Sequence, residues 1–148
     1  MLDSYRDLID GLLETPGSLR GLLGDPPPAN VSPRVHQLLT ELRVREAVAL
    51  RRAQKIMRGE RVILRAIEQE PEIVAATNGV APEQTVEELV TGFNADRGDL
   101  VSLLMNVTIR EWERPIEHND RGETTLAEEI DDHLTWDEDV IARIRDAE

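Results

Sequence analysis

"TLAEEIDDHLTWDEDVIARIR", residues 125–145, carries apolar side chains at Leu126, Ile130, Leu134, Ile141 and Ile144, in steps of four, four, seven and three. A half-buried strand alternates every second residue, whereas these steps trace one face of an α-helix. Thr125 followed by Glu128 is the spacing of a capping box, which marks the helix start. Asp137 falls on the same stripe, three residues after Leu134 and four before Ile141. A carboxylate on a core-facing line is costly unless it is protonated, hydrogen-bonded, paired or bound to a cation.

Working outward, the same periodicity recurs along the chain. Tyr5, Leu8, Ile9, Leu12 and Leu13 form the stripe of a first helix, predicted to stop before Thr15-Pro16 and to be followed by a short helix over 17–23. "GDPPPANVSP" (24–33) is a loop, because consecutive prolines lack amide donors and hold the backbone extended. Ser32-Pro33 then offers an N-cap and a proline at the first helical position, and Val35, Leu38, Leu42, Ala49, Ala53 and Ile56 continue a long helix to about Met57. Val62, Ile63, Ala66 and Ile67 suggest a short helix ending near Pro71. After the Asn78-Gly79 turn, Thr85 to Glu88 has the form of a capping box, and Leu89, Phe93, Leu100 and Leu104 line a third long helix. Residues 110–123 read as a connector. No segment reads as strand. The expectation is an all-α chain, one domain over 1–148, built as a four-helix bundle with additional short helices.

Composition narrows the function. The 148 residues contain no Cys, so disulfides, thiolate catalysis and Cys-rich zinc sites are excluded. No leader is apparent in the first residues and no apolar run is long enough to cross a bilayer, so a cytoplasmic protein without membrane contact is expected. A net charge of −13 opposes nucleic-acid binding, as does the scarcity of aromatic residues. Basic residues between Arg43 and Arg65 and acidic residues between Glu123 and Asp139 read as solvated faces that complement each other within the fold or across a homodimer.

The chemistry-bearing candidates are few. His133 lies four residues before Asp137, so both can converge as helix-borne metal ligands. Catalytic ions usually take a third protein ligand. Glu41, on the shoulder of the second helix's apolar face, is the candidate. The alternative is a polar pair held by hydrogen bonds or by a buried arginine, and Arg97, between Phe93 and Leu100, is placed to supply it. His36 and His118 read as surface residues, and Trp112 and Trp136 as packing residues. There is no Gly-rich phosphate loop and no nucleophile elbow.

"SPRVHQLLTELRVREAVALRRAQKIMRGE" together with "RGDLVSLLMNVTIREWERPIEHNDRGETTLAEEIDDHLTWDEDVIARIR" resembles the DinB/YfiT-like superfamily. The likeness is carried by the Ser-Pro helix start, "REWERPIEH" and "GETTLAEEIDDHL". It implies a DinB-like four-helix bundle with up-down-down-up topology. It also implies a site of three histidines, one in the second helix and two in the last, holding a divalent metal. Members include thiol-dependent transferases and isomerases and chains described as metal-dependent hydrolases, and the family is linked by name to DNA-damage stress. The second-helix histidine falls on Glu41. In the last helix, one register puts the ligand places on His133 and Asp137, the other on Trp136 and Val140. The first yields an oxygen-rich site of Glu41, His133 and Asp137 for Zn, Ni or Mn. The second yields none.

Two functions follow from these readings. One is a divalent-metal-dependent hydrolase or low-molecular-weight-thiol transferase acting on a small molecule, its thiol necessarily diffusible. The other is a ligand-binding or dimeric interaction protein that has lost the metal.

Overall fold

The computed structural model describes residues 3–59 and 61–147. It is predominantly helical, with α1 (Asp3–Leu23), α2 (Pro33–Met57), β1 (Ile63–Leu64), α3 (Pro71–Thr77), α4 (Val86–Leu104), α5 (Ile109–Glu113), β2 (Ile116–His118), β3 (Gly122–Thr124) and α6 (Leu126–Ala147). A single 3-10 turn, Ile67–Gln69, lies between β1 and α3. Among the four long helices, α2 packs on α4 and α6, and α1 packs on α6 and α4.

Local chemistry sets these boundaries. The Ser32 hydroxyl accepts from the Val35 N–H with Pro33 at the first helical position, so α2 starts where two independent signals coincide. Thr85 and Glu88 form a reciprocal capping box for α4. Thr125 accepts from the Glu128 N–H at the start of α6, while the Glu128 carboxylate turns instead to the Thr124 hydroxyl.

Three expectations from sequence need correction. First, α1 does not stop before Thr15-Pro16 but runs through Pro16 to Leu23. Proline in a helix interior removes one backbone bond and pushes on the carbonyl four residues earlier, here that of Leu12. That carbonyl accepts from Arg97 Nη1 at 2.8 Å, so a side chain of α4 replaces the missing amide. Second, residues 62–67 form a strand and the start of the 3-10 turn instead of a short helix. Third, the connector contains α5 and two strands, giving a sheet ordered β1-β2-β3, parallel between β1 and β2 and antiparallel between β2 and β3. Gly122, at φ 79°, makes the left-handed turn residue at the start of β3.

The apolar core is divided. One cluster gathers Leu12, Leu50, Leu100, Trp112, Leu126 and Ile130. The other gathers Leu19, Leu42, Phe93, Val140 and Ile144 with neighbouring residues of α2 and α4. Between them each long helix contributes a buried polar residue: Thr15 from α1, Glu46 from α2, Arg97 from α4, and His133 with Asp137 from α6. Among the described residues, no helix is long and apolar enough to cross a membrane.

Candidate functional site: a guanidinium at the centre of a buried carboxylate and histidine cluster

Helical spacing builds the polar layer. Glu46 lies four residues after Leu42 and four before Leu50, and Arg97 lies four after Phe93 and three before Leu100. Each therefore points inward with its apolar neighbours. Arg97 Nε donates to Glu46 Oε2 at 2.8 Å, and Nη2 donates to Glu46 Oε1 and to Asp137 Oδ2, both at 2.7 Å. With Nη1 on the Leu12 carbonyl, four of the guanidinium's five N–H groups have acceptors. Its plane also lies over the Phe93 ring, 4.9 Å from the centroid.

His133 completes the layer. Its Nε2 stands 2.8 Å from Glu46 Oε1. Because an ionised carboxylate only accepts, that nitrogen carries the proton. Thr15 donates its hydroxyl to Asp137 Oδ2 at 3.0 Å. Within this cluster His133 Nδ1 and Asp137 Oδ1 are buried with no hydrogen-bond partner. Burial pushes the Glu46 carboxyl upward, but the imidazole of His133 and the guanidinium of Arg97 outweigh it and hold the group down at about 2.

Glu46, His133 and Asp137 can each offer a ligand atom within 4.8 Å of the other two, and such a buried group could hold a metal ion. The donor types suit a divalent cation. Arg97 Nη2, however, sits 2.7 Å from both carboxylates and 3.4 Å from His133 Nε2. An ion bonded to all three at about 2.0–2.3 Å would occupy the space and the counter-charge role that the guanidinium already fills. The cluster with Arg97 inside it does not fit a metal.

The structure thus brings His133 and Asp137 together, with Glu46 as the second acid and Arg97 between the two carboxylates. Glu41 lies elsewhere. It is half-buried, accepts from Gln37 Nε2 at 3.2 Å, and lines a cavity of about 260 Å³ that Trp136 also lines. Glu46 escaped the sequence reading although its place on the α2 stripe is the same signal that singled out Asp137. His118, expected at the surface, is buried, and its Nδ1 accepts from the amides of Asp120 and Arg121, which fixes the β2–β3 turn. His36 is half-buried and bonds the Gln84 carbonyl at 2.7 Å. Trp112 is fully buried and stacked on Tyr5 at 5.1 Å between centroids.

A larger cavity of about 640 Å³ opens beside α2 and α6, lined in part by Arg45, Arg52, His133 and Trp136. The basic stretch of α2 is largely met inside the chain. Arg52 binds both oxygens of Glu129 and one of Glu70, and Arg51 binds Glu70 and Glu72. No family model, curated protein or solved structure matches this chain.

Proposed function

We propose that this chain is a DinB-like bundle that has lost its metal site and works as a non-catalytic ligand-binding protein, with its ligand held beside α2 and α6. One observation carries the reading: the guanidinium of Arg97 stands at the centre of the Glu46, His133 and Asp137 group, bonded to two of the three candidate ligands. The site implied by the resemblance is shared between the second and last helices and needs them to be neighbours, in keeping with the packing of α2 on α6. The shared cavity of Glu41 and Trp136 favours the register in which the ligand places fall on Glu41, Trp136 and Val140. Val140 is buried in the apolar core, and neither it nor Trp136 offers a metal ligand.

Metal content decides this. Elemental analysis of untagged protein is expected to find no stoichiometric ion, and Mn, Ni or Zn to produce no saturable melting shift. In Arg97→Ala, which vacates the centre of the cluster, the same titrations are expected to produce a shift that His133→Ala in the same background removes. A stoichiometric ion in the wild-type protein, lost in His133→Ala, would overturn the proposal. It would favour the second reading, a metal-dependent hydrolase or thiol transferase centred on Glu46, His133 and Asp137, for which the 4.8 Å clustering of ligand atoms is the supporting observation.

A further inference from the structure

Arg45 differs from the other deeply buried arginines. It is 4% exposed, as enclosed as Arg52, which is 5% exposed. Arg97 and Arg52 are each bound by two or more acceptors, including ionised carboxylates at 3.0 Å or less. Arg45 has, among the described residues, one ion pair, to Glu68 Oε1 at 3.5 Å, and the Glu68 side chain is 68% exposed. Its Nε, like that of Arg52, is buried with no hydrogen-bond partner, so the difference lies in the terminal nitrogens, which in Arg52 reach both oxygens of Glu129. A cation so enclosed normally holds a close, bidentate anion. Burial pushes this guanidinium's pKa down, with Glu68 only partly opposing it.

The position of Arg45 gives the imbalance a purpose. Arg45, Glu68 and Trp136 line both cavities, so the guanidinium forms part of the wall of each. Trp136 covers one face of the guanidinium, 4.6 Å from ring centroid to Cζ. Ala49, Ala53 and Ile56 add an apolar surface to the larger cavity. Glu68 sits on the 3-10 turn and holds Arg45 through a long, exposed contact of the kind worth little in water.

We propose that these cavities bind a small organic monocarboxylate. Its carboxylate takes the place of Glu68 against Arg45, and its apolar body lies along Ala49, Ala53 and Ile56. The guanidinium fork matches a planar carboxylate. The larger cavity is lined by five acids, Glu68, Asp120, Glu129, Asp132 and Asp139, against the three arginines Arg45, Arg52 and Arg121, and this net negative wall disfavours a doubly charged anion such as phosphate. The inference rests on the ligand-binding reading above and adds to it the chemical class of ligand.

The test uses benzoate as probe, with benzamide, benzylamine and inorganic phosphate beside it, read by tryptophan fluorescence and thermal melting of the full chain. Benzoate is expected to bind saturably and at least ~10-fold more tightly than benzamide, consistent with a charge-assisted contact. Glu68→Gln, at an exposed position, is expected to tighten benzoate binding ~3- to 10-fold by removing the competing carboxylate. Arg45→Gln is expected to abolish binding. Because that variant removes a buried residue, the gain in Glu68→Gln is the deciding measurement. Unchanged affinity in Glu68→Gln, or equal or tighter binding of benzamide, benzylamine or phosphate, overturns the carboxylate assignment and leaves the ligand-binding reading standing. If none of the four probes binds, both fall.

Discussion

Glu46 shows what one buried acid contributes. Its carboxylate receives three donors, two from Arg97 and one from His133, and titrates at about 2 in the folded chain against an ordinary 4.5. A folded-state pKa below the unfolded one adds stability that is complete above the unfolded value and lost as pH falls through the folded one. The expected loss is on the order of 3 kcal/mol between about pH 4.5 and pH 2. Urea midpoints measured across that range check it, and Glu46→Gln should flatten this part of the profile. Arg97→Ala, which strands two buried carboxylates, should destabilise by about 3–5 kcal/mol at neutral pH, read by urea unfolding without added metal. The polarity of this site was legible at Asp137 and Arg97, each conspicuous on an apolar stripe, and at His133, one turn before Asp137. Its composition was not, because Glu41 and Glu46 both border that stripe, and only the packing of α2 on α4 and α6 decides which of them meets Arg97.

At the scale of elements, α2 and α4 were readable because their caps are local: Ser32 with Pro33, and Thr85 with Glu88, lie within a turn of the ends they define. Thr85→Ala is accordingly expected to cost about 1 kcal/mol, visible as a lowered melting temperature. The strands were not readable, since each is two or three residues long and too short for alternation to emerge. Their pairing joins residues far apart, as Ile63 does with Glu117. The passage of α1 through Pro16 was hidden for a related reason. The donor that repairs the helix stands 85 residues away in sequence, so a rule that reads proline from its neighbours predicts a break.

For the molecule as a whole, the decisive feature is the polar layer between two apolar clusters. Removing one member of a buried ionic network is costly, whereas replacing the whole set by apolar residues of similar volume is often neutral or stabilising. The combined variant Thr15→Val, Glu46→Leu, Arg97→Met, His133→Leu and Asp137→Leu should therefore melt well above Arg97→Ala alone, its remaining cost being the Leu12 carbonyl left without its donor. Calorimetry distinguishes the two. The layer's contribution then lies in alignment: sliding α2, α4 or α6 by one turn would set a charge against leucine, so these helices have one register that keeps Glu46, Arg97 and Asp137 paired.

The bond from Arg97 to the Leu12 carbonyl also bears on the order of assembly. During synthesis α1 leaves the ribosome before α4, carrying a gap in its own hydrogen-bond ladder at Pro16 that nothing in the next eighty or so residues fills. Until α4 arrives, only water can serve that carbonyl, and α1 lacks one rung of its ladder at Pro16. A long-range contact thus finishes the backbone of an element made much earlier, and α1 gains the last bond of its ladder only once α4 has packed against it.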